Sequence, residues 1–119
     1  MDDQLDRVLN LLATSGVEIR PLTSPPPPRV PLALGSWSYG AMESRLSLHI
    51  YEFDGQDSLD ASLGDLERLA GAAGKDVTFA QNGGYLLALM FDRGVVESDR
   101  QLEGAMDRLL AAFSGEVER

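Results

Sequence analysis

Residues 85–91 constrain the fold more than any other part of this 119-residue chain. The segment reads Tyr-Leu-Leu-Ala-Leu-Met-Phe and is apolar at odd and even positions alike. Successive side chains of a β-strand point to opposite faces of its sheet, so a strand of this sequence is apolar on both faces. Both faces therefore need a cover, supplied either by helices of the same chain or by a second copy.

The dipeptide Asn82-Gly83 predicts a β-hairpin with residues 77–81 as its first arm and residues 84–91 as its second. Asn-Gly favours a type I′ turn, in which both central residues have positive φ. A two-residue turn at this position pairs Phe79 with Leu86 across the hairpin. One predicted face holds Val77, Phe79, Leu86, Ala88 and Met90, and the other holds Tyr85, Leu87, Leu89 and Phe91.

The remaining periodicities predict an α+β fold in the order α-β-β-β-α-β-β-α. We expect one domain over residues 1–119, with a single antiparallel sheet of about five strands and two or three helices. The other predicted elements are a helix with apolar residues from 5 to 12, strands at 17–20, 34–39 and 45–53, a helix with apolar residues from 59 to 70, and a last helix with apolar residues from 102 to 113.

Polar residues mark the starts of the second and third predicted helices. Asp57 is the expected N-cap of the second helix, because its carboxylate can accept a hydrogen bond from an unpaired N–H group of the first turn. Ser98 and Gln101 have the spacing of a capping box at the start of the last helix.

A proline-rich connector spans residues 24–31 and includes four consecutive prolines at 25–28. Such a run can neither continue a helix nor donate to a sheet, so it predicts an extended polyproline II segment. It could be a ligand for an aromatic groove. We favour a stiff crossover between two strands of one domain.

The charge balance argues against two classes of partner. Nineteen acidic and ten basic residues give a net charge of −9 and a pI near 4.4. Phosphate backbones and anionic lipid surfaces would repel such a chain, so we expect no nucleic-acid binding and no membrane insertion. The charge either serves solubility or forms an acidic face for a basic partner.

The chain has no cysteine and one histidine, His49. Disulfides, thiol catalysis and cysteine-ligated zinc are therefore excluded. His49 could act with Ser47 or Tyr51 on the same strand face, but no nucleophile elbow or placed carboxylate accompanies them. We favour a half-buried sheet histidine that makes one hydrogen bond, and we predict no catalytic, cofactor-binding or metal-binding residue.

The first residues, Met-Asp-Asp-Gln, lack the basic and apolar regions of a signal peptide. The longest apolar run, residues 86–91, is too short to span a bilayer. We expect a soluble cytoplasmic protein. The alternative is an exported domain whose leader is missing from the sequence.

Five residues form the candidate interaction surface. Trp37 and Tyr39 share one face of their predicted strand, and Tyr51 and Phe53 share one face of the next. If these two faces coincide in the sheet, the four rings would form an aromatic platform beside His49. The alternative is ordinary core beneath the first helix. The platform suggests a non-enzymatic protein-binding module, chaperone-like or a regulatory subunit, and we expect a homodimer. The alternative is a small-molecule-binding or hydrolytic domain that uses His49 and neighbouring acids.

The element order, small size and acidic pI resemble those of type III secretion chaperones of bacteria. That resemblance implies a dimer that holds an unfolded stretch of an effector protein. Separately, segments 16–19 (GVEI), 48–54 (LHIYEFD) and 84–89 (GYLLAL) are similar to a pattern in small bacterial proteins without known activity. Many of those carry an N-terminal lipid-anchor signal, which this sequence lacks, and neither resemblance implies site residues here.

Overall fold

Five strands form one antiparallel sheet in the computed structural model, which describes residues 3–21, 30–43, 45–95 and 99–114. The predicted α+β fold and the order α-β-β-β-α-β-β-α are confirmed. The strands are arranged in the order β1-β2-β3-β5-β4, so that β1 and β4 are the edges. The elements are α1 (Asp3–Ala13), β1 (Ile19–Pro21), β2 (Gly35–Ala41), β3 (Leu46–Glu52), α2 (Gln56–Ala72), β4 (Lys75–Asn82), β5 (Tyr85–Asp92) and α3 (Arg100–Ser114).

Both faces of β5 are covered within a single chain, as its two-sided apolar sequence requires. No residue from 85 to 91 is more than 7% exposed. The core on one face includes residues of α1 and α3, whereas the core on the other face includes residues of α2. The first face carries Tyr85, Leu87, Leu89 and Phe91, and the second carries Leu86, Ala88 and Met90. A second copy is therefore not needed to cover this strand.

The β4–β5 hairpin turns one residue later than its Asn-Gly dipeptide predicts. Asn82 pairs with Tyr85, and the two central residues are Gly83 and Gly84. Of these two glycines only Gly83 has a positive φ, 60°, which is the pattern of a type II′ turn. The predicted pairing of Phe79 with Leu86 is wrong, because Phe79 pairs with Ala88. The predicted faces nevertheless hold, since a shift of two residues preserves the alternation of side chains.

Side-chain bonds of Asn82 favour the displaced turn. Its Nδ2 donates to the carbonyl oxygen of Phe113 at 2.9 Å, and its Oδ1 accepts from Nη2 of Arg7 at 3.0 Å. Asn82 thus remains the last residue of β4 and links the hairpin to α1 and α3. The local sequence suits two turns, one centred on Asn82-Gly83 and one on Gly83-Gly84, and these contacts between distant parts of the chain favour the second.

Gly84 lies against the end of β3. Its carbonyl oxygen accepts a hydrogen bond from the Phe53 N–H at 2.8 Å. A Cβ at Gly84 would lie 2.8 Å from the carbonyl oxygen of Phe53, which is closer than real Cβ contacts. Only glycine permits this approach without a shift of the backbone.

The helix starts differ from the sequence predictions. Gly55 is the N-cap of α2 and offers no side-chain cap, so the predicted capping role of Asp57 is wrong. Asp57 lies in the first turn, where the helix dipole still favours its charge. At α3 the carboxylate of Asp99 accepts from the Leu102 N–H at 3.1 Å. The predicted capping residue Ser98 lies outside the described residues.

The proline run at 25–28 also lies outside the described residues, and only Val30 and Pro31 of the predicted connector are within them. Val30 is buried and belongs to the core beneath α2. Among the described residues, no helix has the length and apolarity needed to cross a bilayer.

Candidate functional site

The sheet separates the five residues of the predicted aromatic platform. Trp37 pairs with Ile50, and Tyr51 pairs with Ser36. Paired residues of antiparallel strands share a face, so Trp37 and Tyr51 lie on opposite faces. The single platform predicted from the sequence is therefore wrong. Trp37 and Tyr39 lie on the face covered by α1 and α3, whereas His49, Tyr51 and Phe53 lie on the α2 face.

Most of these aromatic residues belong to the core. Tyr51 and Phe53 are buried beneath α2, with ring centroids 6.5 Å apart. Burial raises the pKa of Tyr51. Trp37 and Tyr39 are half-buried against the other core, where the Trp37 ring lies 6.5 Å from that of Tyr85. Within the set only Trp37 and Tyr39 retain appreciable exposure.

His49 forms a buried pair with Ser38 of the neighbouring strand. Ser38 Oγ and His49 Nδ1 are 2.8 Å apart. Burial lowers the pKa of His49 to about 4, so its ring is neutral near pH 7. Sequence reasoning missed Ser38, because the partner is set by cross-strand register and not by position along one strand.

The surroundings of this pair offer little for catalysis. Ser38 is the one hydrogen-bond partner of the His49 ring within the described part of the chain. An acyl-transfer triad needs a carboxylate that orients the imidazole and an accessible serine, but both members of this pair are buried. Across the described segments, no three His, Asp or Glu side chains are grouped so that they could hold a metal ion.

The two sheet edges differ greatly in length. Strand β1 has three residues and ends in Pro21, which cannot donate a hydrogen bond, so it offers little to an incoming strand. An open cleft of about 710 Å³ adjoins it. Glu18 and Arg20 line this cleft and form an ion pair, with Arg20 Nη2 3.3 Å from Glu18 Oε2. Both side chains are more than three quarters exposed. Strand β4 has eight residues and forms the other edge.

Strand β4 presents hydrogen-bonding groups away from the sheet. The Arg93 N–H donates to the Gly74 carbonyl at 3.3 Å, which makes even-numbered residues of β4 the ones that bond to β5. The N–H and C=O groups of Val77, Phe79 and Gln81 consequently point outward. No described residue bonds to these backbone groups, because the ladder between β4 and β5 uses the residues between them.

Helices α2 and α3 flank this edge on opposite faces of the sheet. Gln56 of α2 and Gln81 of β4 exchange side-chain hydrogen bonds, which places this side of α2 beside the strand. Asp60, Leu63 and Glu67 recur on the same side of the helix at helical spacing. On the other face, α3 and β4 border a hollow of about 380 Å³. Its lining residues are Phe79, Ala80, Asp107, Leu110, Ala111 and Ser114.

The surface formed by β4 and these two helix sides is termed the β4 edge site. Its centre is uncharged, with the sequence Val-Thr-Phe-Ala at residues 77–80. Its helical walls carry the acidic residues Asp60, Glu67 and Asp107. Two cations at the open end of the hairpin are engaged, Lys75 with Asp92 at 2.8 Å and Arg93 with Asp76 at 3.7 Å. Arg108, which follows Asp107 on α3, lines the cleft beside β1 instead.

Comparison of the chain with protein-family models, curated proteins and solved structures gave no match. The resemblance to type III secretion chaperones stays a prediction.

Proposed function

We propose that this protein is a non-enzymatic protein-binding module that takes up an extended segment of another polypeptide as an added strand along β4. The observation that carries the proposal is the row of outward N–H and C=O groups at Val77, Phe79 and Gln81. In strand addition these groups supply affinity, and the flanking side chains supply specificity. This role includes both functions expected from the sequence, a chaperone-like protein and a regulatory subunit.

The properties of β4 support the proposal. Natural proteins block exposed edges with short strands, prolines, bulges or central charges, because an open edge pairs with other chains. Strand β1 follows this rule, whereas β4 has an uncharged centre and full length. Residues 75–80 are all half-buried, because α2 and α3 shield the strand on both faces. The backbone is thus accessible from one direction, along the sheet plane.

Charge favours a partner other than a second copy. The chain carries a net charge of −9, and the walls of the site are acidic. Two copies would repel one another, whereas a basic segment would be attracted and a neutral one would not be repelled. The homodimer expected from the sequence stays a prediction, as do a bacterial origin and a cytoplasmic location.

The test begins with selection of displayed random 12-residue peptides on the immobilised protein. Binding of a selected peptide should slow hydrogen exchange of the Val77, Phe79 and Gln81 amides at least tenfold. The amides of Thr78 and Ala80 already bond to β5 and serve as internal controls with smaller changes. Protection confined to other parts of the chain, or failure to select any peptide that protects these three amides, would contradict the proposal.

A pair of variants tests the same point by binding. Val77→Pro removes an outward N–H group, and Val77→Ala removes the same side chain but keeps that group. We expect the proline variant to lose binding of the selected peptide and the alanine variant to keep most of it. Circular dichroism of both variants verifies the fold. Concentration-dependent protection of the same amides without peptide would identify a second copy as the occupant instead.

The Ser38–His49 hydrogen bond is the observation that favours the alternative, a small-molecule-binding or hydrolytic domain. The low pKa of His49 and the burial of both side chains argue against it, since a general base needs a pKa near the working pH and access to substrate. Hydrolysis of p-nitrophenyl acetate above background that His49→Gln abolishes would support this alternative.

A further inference from the structure

We infer that the hollow between β4 and α3 receives a lysine or arginine side chain of the added strand. This inference rests on the proposed function and specifies the chemistry of its partner. It follows from three features of the hollow: its position relative to Ala80, the apolar surface of α3, and the carboxylate of Asp107.

The position of Ala80 determines which residue of the partner enters the hollow. Ala80 packs with the core on the α1 and α3 face, whereas Phe79 packs with the core beneath α2. A residue directly opposite Ala80 on an added strand would share its face and point towards α3. Because the backbone groups of Ala80 bond to β5, an antiparallel added strand would form a non-hydrogen-bonded pair with it, in which the two Cα atoms are about 4.5 Å apart. The small side chain of Ala80 leaves the space above it open.

The walls of the hollow match the two parts of a long basic side chain. Leu110 and Ala111 lie one turn beyond Asp107 on α3 and offer apolar surface. Lysine and arginine bury their methylene stems on such surface while the charged group stays at the rim. Asp107 is exposed, and no described residue makes a hydrogen bond or ion pair with its carboxylate.

The opposite face of the added strand meets different chemistry. The residues on either side of the basic one would point towards α2, where Phe79 and Leu63 are half-buried in the core. We therefore expect a partner segment in which an apolar residue stands on at least one side of a lysine or arginine.

The experiment uses the 12-residue peptides selected on the wild-type protein. We expect lysine or arginine at the position opposite Ala80, placed by nuclear Overhauser contacts between that residue and Ala80. Replacement of this residue by norleucine should weaken binding about threefold, and replacement by glutamate more than tenfold. Asp107→Lys should weaken binding of the original peptide about tenfold and restore binding of the glutamate peptide.

Glu18→Lys provides the matched control, because it makes the same change in net charge at the far edge of the sheet, beside β1. It should leave affinity within a factor of two. Peptides that protect the β4 amides but show no basic preference, with equal affinity for wild type and Asp107→Lys, would overturn the inference and leave the proposed function intact. Failure to obtain any peptide that adds along β4 would overturn both.

Discussion

Ser38 Oγ lies 2.8 Å from His49 Nδ1, and this hydrogen bond joins β2 and β3 within the buried part of the sheet. The bond gives the one histidine of the chain a structural role. It satisfies a ring nitrogen that would otherwise be costly to bury. Two consequences for stability follow from it, one for pH and one for mutation.

The first prediction concerns acid. Burial lowers the pKa of His49 from 6.5 to about 4, so between these pH values the unfolded chain binds a proton that the folded chain does not. The free energy of unfolding therefore falls as the pH drops from about 6.5 to about 4. Below about pH 4 both states bind the proton, so His49 causes no further change. Wild type should lose about 2 kcal/mol more than His49→Gln between about pH 7.5 and pH 5.

Urea unfolding at several pH values measures this difference. The carboxylates are common to both proteins, so their own pH dependence cancels in the comparison. Parallel curves for the two proteins would show that His49 titrates normally in the folded state.

The second prediction concerns the partner of His49. Ser38→Ala removes the hydroxyl and leaves a buried ring nitrogen without its hydrogen bond, so the free energy of unfolding should fall by about 1–3 kcal/mol. Ser36→Ala is the matched control, since Ser36 lies on the same strand and face but is exposed, and it should change stability by less than about 0.5 kcal/mol. Chemical denaturation compares the two. Equal effects would mean that the buried bond contributes nothing.

The third prediction concerns the close approach of Gly84 to β3. Gly84→Ala places a Cβ 2.8 Å from the Phe53 carbonyl oxygen, so the backbone must shift and the 2.8 Å hydrogen bond from the Phe53 N–H must weaken. We expect a loss of about 2 kcal/mol or more. At Gly64, within α2, an added Cβ meets open space, and alanine there should stabilise the protein by about 0.5–1 kcal/mol. Thermal unfolding of both variants distinguishes the two effects by sign.

The fourth prediction tests whether each face of β5 has its own helical cover. Leu66 of α2 and Leu109 of α3 are fully buried on opposite faces, so alanine at either should cost about 2–5 kcal/mol. Leu69 of α2 is 37% exposed, and alanine there should cost less than about 1 kcal/mol. Urea unfolding measures all three. If Leu66→Ala costs no more than Leu69→Ala, α2 does not cover the sheet in solution.

Local pattern was sufficient to predict the kinds of element, their order and the side-chain faces of the β4–β5 hairpin. Alternation along a strand depends only on its own backbone, so Phe79 and Leu86 share a face whichever of the two registers forms. The same local rule predicted that residues 85–91 need a cover on both sides. The need for two covers follows from the apolar composition of residues 85–91 alone, whichever elements supply them.

Pairings between segments required the tertiary structure. Nothing in β2 or β3 alone shows that Trp37 lies opposite Ile50, and this register separates Trp37 from Tyr51 and brings Ser38 to His49. The choice between the two turns that the local sequence suits is likewise favoured by bonds of Asn82 to Phe113 and Arg7, residues distant from it in sequence. Sheet order, and with it the open edge at β4, depends on which strands pair and which helices pack beside them. Those contacts join residues far apart in the chain, so the periodicity of a short segment cannot predict them.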